Sequence, residues 1–292
     1  MSFVKRAGLY CLRQRFKMLV LFLLLTLIAT FMLTGIAIHD AFKEAAARVR
    51  TTVGGKILLE TDTEGHMGGG RQNEWGTAYY YDGDLITEEI VDAIKKVDGV
   101  VDYNCEEAES YYGAGVDFKY LPAALGLSYT PYGEASSYTA TLSSKKCKAF
   151  QSGKYRLVDG RHITPDDIYT CLISKELADY NQLSVGDDVT MYCLDSDSKA
   201  TFEIVGIFDG TKGAAGNALT VDEIPANCGY VDYAAVKDIF KGIFDEEGYY
   251  QLTIYVEDPA CVQSVYDKIS ALPELEGKTL KLTIDTEEND AI

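Results

Sequence analysis

From Met18 to Ile38 the chain runs for 21 consecutive residues without a charged side chain. At 1.5 Å rise per residue such a run makes a helix of about 32 Å, enough to cross a hydrocarbon core of about 30 Å. The sequence therefore predicts a transmembrane helix over residues 18–38. Ahead of it sit Lys5, Arg6, Arg13, Arg15 and Lys17, and no acidic residue precedes Asp40. Basic flanks are retained on the cytoplasmic side. Residues 1–17 are thus expected as a cytoplasmic basic segment in a cell membrane, and residues 39–292 as extracytoplasmic. A cleaved signal peptide also starts basic and continues apolar, but its core spans about 7–15 residues and ends in small residues. Here the run is longer, and His39, Asp40 and Phe42 follow it.

The net charge of −18 conceals a division. The first 38 residues carry +5, and the remaining 22 basic against 45 acidic side chains give −23. An outer domain so acidic stays soluble and repels phosphate backbones, which excludes nucleic acid as a partner and leaves membrane lipid to the apolar run. Within that run Thr26, Thr30 and Thr34 recur every fourth residue, on one helix face beside Gly35. Such a face permits close approach of another helix, although Thr is also tolerated anywhere in a membrane helix. Beyond the run, Asp40 to Arg50 is rich in helix formers, with Ala41, Phe42, Ala45, Ala46 and Val49 on one side. Gly54 and Gly55 are expected to end it. Residues 39–55 thus read as a helical stalk, stiffer than a Gly/Ser or Pro-rich tether.

The rest of the chain has enough apolar content for a real core. Lys56 to Thr61 is a strand candidate, and glycine-rich Gly65 to Gly76 reads as a loop. Thr87 is placed as the N-cap of a helix whose stripe is Ile90, Val91, Ile94 and Val97, stopped by Gly99. Val100 to Cys105 then resumes extended structure. The same order returns near the far end. Gln251 to Glu257 alternates, Asp258-Pro259 opens a helix lined by Val262, Val265, Ile269 and Leu272, Gly277 closes it, and Thr279 to Ile284 forms a strand. The strands at 56–61 and 251–257 are expected in one sheet. Between the two units, Tyr138–Leu142, Thr170–Ser174, Asp188–Cys193 and Thr201–Phe208 look extended, with a short helix over Lys175–Tyr180 and a turn at Val185-Gly186-Asp187-Asp188.

One pattern in this middle region is specific. It reads Gly160-Arg161, Asp166-Asp167, Leu172-Ile173-Ser174, Leu177-Ala178, Leu183, Val185-Gly186-Asp187 and Phe202-Glu203-Ile204-Val205-Gly206-Ile207. This resembles the extracytoplasmic core domain of MacB-like, or FtsX-type, ABC transporter permeases, whose basic opening, first membrane helix and stalk are matched as well. The motif is made of turn and core residues, not of reactive groups. The resemblance implies a mechanotransmission role, in which a cytoplasmic ABC ATPase subunit hydrolyses ATP and the permease, working with a second permease copy or homologue, converts that movement into motion of the outer domain. It also implies further membrane helices after the ectodomain. The chain ends at Ile292 without a second apolar span, and the expectation is a sequence cut just before it.

Reactive constellations are sparse. No G-x-x-x-x-G-K-[ST] occurs, and Val53-Gly54-Gly55-Lys56 is too short and runs into Ile57, so ATP is expected to be used by the partner subunit and no cofactor is expected in this chain. His39, His66 and His162 lack zinc spacing. Asp195-Ser196-Asp197-Ser198-Lys199 starts like a calcium loop but has Ala200 and Gly206 where Gly and Glu are needed, which favours a hairpin turn. No G-x-S-x-G elbow is present. No catalytic, cofactor-binding or metal residue is therefore assigned, and the chain is not expected to be an enzyme. Cys11 falls on the cytoplasmic side. Cys105, Cys147, Cys171, Cys193, Cys228 and Cys261 fall outside and can pair in more ways than sequence can choose among, or stay as thiols, as Cys171 and Cys193 within strands suggest. The clusters Tyr79-Tyr80-Tyr81, Tyr111-Tyr112 and Tyr249-Tyr250 are either a contact surface or strand residues packed with wet hydroxyls.

The fold class that follows is α+β: a transmembrane helix with stalk, then a two-lobed ectodomain. A β-α-β porter-like lobe takes residues 56–136 and 232–292, with a β-rich lobe inserted over 137–231. The function expected is that of an ABC transporter permease subunit for export or mechanotransmission. The alternative is the single-span ectodomain of a signalling receptor, which shares the cytoplasmic N-terminus and acidic outer domain.

Overall fold

The computed structural model describes residues 15–52, 55–73, 76–124, 130, 132–194, 196, 198–211, 218–241 and 248–285. The chain divides into two compact units, one ending at Thr51 and the other beginning at Thr52. In chain order the elements are α1 (Arg15–Thr52), β1 (Lys56–Thr61), β2 (Met67–Asn73), β3 (Gly76–Tyr81), α2 (Glu88–Lys95), β4 (Val100–Asn104), β5 (Glu106–Gly115), β6 (Ala135–Thr141), α3 (Lys148–Gln151), β7 (Arg156–Gly160), β8 (Thr170–Ser174), α4 (Lys175–Asn181), β9 (Asp188–Cys193), β10 (Ser198–Asp209), β11 (Gly229–Asp232), α5 (Tyr233–Ile239), β12 (Gln251–Val256), α6 (Val262–Ser270) and β13 (Leu280–Asp285).

Helix α1 is one uninterrupted element of 38 residues that carries the apolar run and continues past it. Phe22, Phe31, Met32 and Leu33 stand exposed on it. Among the described residues no helix is long and apolar enough to cross a membrane. Positions 18, 21, 36 and 37 of the run lie outside the residues whose side chains are described, as do the stalk positions 41, 42, 45, 46 and 49. The case for a crossing therefore rests on the sequence.

In the second unit the strands at 56–61 and 251–257 lie side by side, as expected. Four strands form a sheet in the order β13-β1-β12-β4, and every adjacent pair is antiparallel. Thus β1 and β4, joined through α2, run parallel with β12 between them, while β12 and β13, joined through α6, run parallel with β1 between them. Each β-α-β unit leaves a gap that the other unit's first strand fills, the split arrangement of ferredoxin-like sheets. Register explains the pairing: Ile57 faces Ile254 and Leu59 faces Leu252, so the buried residues of both alternating strands meet on one face. Ile90, Val91 and Ile94 of α2 and Val262, Val265 and Ile269 of α6 belong to the same buried cluster.

The Gly65–Gly76 stretch, expected as a loop, pairs instead. Strands β2 and β3 form a separate two-stranded sheet, Met67 opposite Tyr81 and Asn73 opposite Gly76. Backbone ladders do not need side chains, and the Tyr-rich β3 supplies a template that the glycines of β2 can follow. The base of this hairpin is tied down by the Tyr81 hydroxyl, which donates to the carbonyls of Asp84 and Thr279 at 3.0 Å each.

The seven remaining strands are ordered β7-β10-β8-β11-β6-β5-β9, and β10 pairs with β9 as well. Strand β10 is long enough to serve both ends, using Ser198–Glu203 for β9 and Glu203–Phe208 for β8. The sheet therefore closes into a barrel of six strands with β7 appended to the far half of β10. Tyr111, Tyr138, Phe202 and Met191 are fully or almost fully buried, and the Tyr111 ring meets Phe202 and Tyr138 edge-on at 5.5 and 6.2 Å. The change from one sheet to the other comes at Cys105 and not near residue 136, because β5 already pairs with β6 and β9.

Candidate functional site: the junction between the two sheets

The residues of the sequence motif are brought together, and their work is structural. Gly160 adopts φ 72°, and a Cβ there would fall 2.3 Å from the Val205 carbonyl oxygen. Its cross-strand partner Gly206 would place a Cβ 2.4 Å from the Arg161 oxygen. Two glycines are thus needed where β7 crosses β10 closely. The Arg161 guanidinium grips both oxygens of Asp167 at 2.6 and 2.7 Å, and the Thr164 amide and hydroxyl donate to the same carboxylate at 2.8 and 2.9 Å. The bond from Arg161 is the main reason that the Asp167 carboxyl is held below the usual range, with the Thr164 bonds adding to it against some desolvation. Ser174 caps α4 by accepting from the Leu177 amide, and donates its own proton to the Ala226 carbonyl at 2.6 Å. Asp166 has no such part, and among the described residues this motif holds no convergent reactive set.

The second concentration of polar groups was not foreseen from the sequence. It lies where the chain leaves β4 for β5. Buried Asn104 accepts from the Ser143 amide at 2.8 Å, and the Thr141 hydroxyl donates to the Cys105 carbonyl at 2.7 Å. Lys146 reaches Asp102 at 2.5 Å, while the Tyr255 hydroxyl donates to the Lys146 carbonyl at 3.2 Å. Lys56 of β1 donates to Gln151 of α3 at 3.0 Å. The segment 144–151 therefore sits on the face of the four-stranded sheet opposite α2 and α6, and fastens the barrel side to it.

Two carboxylates complete the junction. Glu106 accepts from the Lys148 amide at 2.9 Å, and Glu107 from the Tyr250 amide at 2.7 Å. Burial raises both, and that of Glu107 is pushed up to about 7, with the Tyr250 and Gln251 amides and the Cys105 thiol pulling the other way. The signal in the sequence was Glu106-Glu107 directly after a strand, which reads as a strand end. The Tyr250 amide that bonds Glu107 arrives only 143 residues later.

The other sequence candidates disperse. His162 Nδ1 lies 3.0 Å from Ser144 Oγ, and burial, followed by Lys145, lowers its pKa. His66 is 3.9 Å from Asp82, and the His39 side chain lies outside the described residues. Among the described residues no three His, Cys, Asp or Glu side chains come together as metal ligands would. Cys105, Cys147, Cys171, Cys193, Cys228 and Cys261 are all thiols, the first four of them buried, with Cys228 half-buried and Cys261 exposed, while Cys11 falls outside the described residues. Residues 195 and 197 also fall outside, but Cys193 pairs with Ser198 in the hairpin the turn would close. Of the tyrosine clusters, Tyr111 is a core residue and Tyr249 stacks on Tyr233 at 4.6 Å, whereas Tyr250 is exposed. Side chains 79 and 80 are not among those described. The Thr26, Thr30 and Thr34 hydroxyls donate to the carbonyls of Phe22, Thr26 and Thr30 at 2.8, 2.8 and 2.7 Å. Each proton is used within α1, which leaves that face small but not a donor to another helix.

No protein-family model matches the chain. Across 276 aligned residues it is 26% identical to YclI of Bacillus subtilis (strain 168), an uncharacterized ABC transporter permease, over 86% of this chain and 56% of that protein. The chain is similar to an ABC transporter permease. The resemblance read from residues 160–207 is matched by this relative, of which the chain spans about half the length. Solved structures with related shapes include the periplasmic region of MacB from Actinobacillus actinomycetemcomitans, with 10% identity, 83% of this chain and 94% of that one, and a TM-score of 0.47. The extracellular domain of the noncanonic ABC-type transporter YknZ from Gram-positive bacteria has 16% identity, 78% and 99% coverage, and a TM-score of 0.43. At TM-scores below one half these shapes are too loosely alike to assign fold or function.

Proposed function

We propose that this chain is part of an ABC transporter permease subunit. In this reading α1 crosses the cell membrane with its N-terminus in the cytoplasm, and residues 39–292 stand outside as a porter-like lobe with an inserted β-rich lobe. A cytoplasmic ABC ATPase subunit hydrolyses ATP, a second permease copy or homologue completes the transporter, and the outer domain is moved to export a substrate or transmit force. The chain itself carries out no catalysis and holds no cofactor. The observation that carries the reading is the 26% identity to an ABC transporter permease across 86% of this chain. The uncharged run from Met18 to Ile38 and its basic flank support the topology. Mechanical coupling is supported by connectivity: α1 ends at Thr52, and Lys56 opens β1, an interior strand hydrogen-bonded on both sides.

Two measurements test it. In intact cells a membrane-impermeant maleimide should label Cys261 and spare Cys11, read on single-cysteine variants; labelling of Cys11 alone would reverse the topology. The chain should also co-purify with a cytoplasmic ABC ATPase, and ATP should change hydrogen exchange within residues 56–285. A membrane-inserted chain that retains no ATPase and ignores ATP would overturn the permease reading.

A further inference from the structure

Among the described residues three strands end the two larger sheets: β4 and β13 in the four-stranded sheet, and β7 beside the barrel. An open strand edge invites pairing with another chain, and bulges or lysines on it discourage that pairing. Two of the three edges are blunted. On β4 the register jumps from Val100 to Asp102, leaving exposed Val101 as the extra residue, and Lys146 donates to the Tyr103 carbonyl at 3.3 Å. On β7 it jumps from Leu157 to Asp159, leaving exposed Val158. Strand β13 has no bulge and follows β1 through six consecutive pairs without a shift.

The ladder also fixes which backbone groups of β13 face outward. The Asp62 amide donates to the Thr279 carbonyl at 3.0 Å. Residues alternate in direction along a strand, so Lys281, Thr283 and Asp285 bond inward to β1, while Leu280, Leu282 and Ile284 turn their amides and carbonyls outward. The side chains of those three are half-buried at the margin of the core cluster. Lys281 and Asp285 lie on the opposite face, across from Glu60 and Lys56 of β1.

We propose that β13 is the docking edge for a second copy of this chain, laid antiparallel with Thr283 opposite Thr283 on a two-fold axis. In that register Leu282 and the second copy's Ile284 exchange amide–carbonyl bonds, and each copy's half-buried apolar row covers the other's. The Leu282 carbonyl already accepts from the Tyr266 hydroxyl of α6 at 3.3 Å, and its second lone pair takes the new amide. Lys281 falls opposite the second copy's Asp285, at positions where side chains approach most closely, and the axis repeats the pair. That face then reads Glu60, Lys281, the second copy's Asp285 and its Lys56, alternating in sign across the joint. Among the described residues no other two-fold antiparallel register sets Lys281 against a carboxylate. The strand is complementary to itself in charge, which is why a second copy is its occupant. The −23 on each outer domain opposes approach, but at physiological ionic strength that repulsion is screened beyond about 8 Å, and the edge pairs act within it. The docking edge gives the second permease copy of the reading above its place of contact, and rests on that reading for what the copy is.

Cysteine cross-linking of the purified full chain in detergent tests the edge, with Cys11, Cys228 and Cys261 changed to Ser. Thr283→Cys meets its own copy across the axis, and mild oxidation should give at least about tenfold more dimer than Val101→Cys on the bulged β4 edge. Adding Lys281→Asp or Asp285→Lys to Thr283→Cys should cut that dimer about tenfold, since each sets like charges opposite one another twice. Mixing the two charge variants should restore it, as mixed dimers only. The mixture carries the same lesions in the same chains, so it separates lost pairing from local damage to β13. Thr283→Cys that forms no more dimer than Val101→Cys, or charge variants that pair with themselves as readily as with each other, would overturn the docking edge. ATPase retention is scored on the same chains, so the permease reading can fail while the edge holds, and the reverse.

Discussion

The four-stranded sheet and the barrel hold themselves together in different ways. The barrel is drawn from one continuous stretch, residues 106–232, and closes because β10 reaches partners at both of its ends. The four-stranded sheet is assembled from two stretches that flank the barrel in sequence, and neither half leaves its strands adjacent without the other. Its order β13-β1-β12-β4 places a strand from one half beside a strand from the other at every pairing. A sheet interleaved in this way reports on both halves at once, and a strain applied to β1 is felt directly in β12 and β13. A closed barrel has no such exposure. The four-stranded sheet thus depends on both halves of the chain, whereas the barrel depends on one stretch alone.

The largest expected effect breaks the sheet outright. Ending the chain at Gly248 removes β12, α6 and β13, so β1 and β4 lose every partner in the sheet, while the barrel strands keep all of theirs. Hydrogen exchange should show residues 56–61 and 100–104 unprotected and residues 170–208 still protected. The buried cluster does run from one sheet into the other. If that shared core makes the unit fold all or none, the barrel will lose protection too, and the two sheets are then one cooperative unit.

A pair of glycines, one at each sheet, separates the two by the cost of a single methyl group. Gly160→Ala in the barrel forces a residue with φ 72° to carry a Cβ that meets a backbone oxygen at 2.3 Å, and overpacking plus left-handed strain should cost about 3 kcal/mol. Gly55→Ala ahead of β1 drives its Cβ into the Val262 side chain, which has some freedom to turn, for about 1–2 kcal/mol. Gly55 also accepts the Val256 amide through its carbonyl at 2.9 Å, so its variant should loosen β12 first. Denaturant unfolding gives the totals, and hydrogen exchange shows whether each loss stays in its own sheet.

Much of the four-stranded sheet was legible, because its elements alternate cleanly: Ile57 and Leu59, Leu252 and Ile254, the stripe Ile90-Val91-Ile94, and the helix opened by Asp258-Pro259. The Asp258 carboxylate does accept from the Ala260 amide at 2.9 Å, although the first turn is a 3-10 helix and α6 begins only at Val262. Thr87 stands at the N-cap position as read, without a side-chain capping bond. The barrel was legible in pieces only. Strand β5 hides in Glu106-Glu107-Ala108-Glu109-Ser110, a polar run whose period is broken by the bulge, and β7 is almost wholly exposed, so no apolar alternation marks it. Closure through β10 and the bond between Glu107 and Tyr250 depend on partners far along the chain, and no local pattern encodes them. The glycine and aspartate positions of the motif were readable as turns, but not the close crossing of Gly160 and Gly206 that explains them.

A smaller effect separates the barrel's polar clasp from its core. Asp167 is held below its ordinary 3.8 chiefly by Arg161, so its contribution is complete above that value and is lost as pH falls through the depressed one. Asp167→Asn should therefore flatten the acid limb of the stability curve and cost about 1 kcal/mol at neutral pH, the Arg161 side being half-exposed and screened. Acid titration of unfolding, wild type against variant, reads this directly.

The smallest effect concerns the rim of the four-stranded sheet. Lys281 of β13 faces Glu60 of β1 in register, yet their charged atoms are 3.9 Å apart and the lysine is more than half exposed. An ion pair in that setting is worth less than about 0.5 kcal/mol, because solvent screens it and ordering two long side chains opposes it. Lys281→Ala should accordingly leave Tm within about 1–2 °C of wild type. The β1–β13 pairing is then carried by its backbone ladder and by Ile57, Leu59, Leu282 and Ile284. A loss several times larger would mean that the edge strand is held by charge, and that the sheet yields to salt as well as to force.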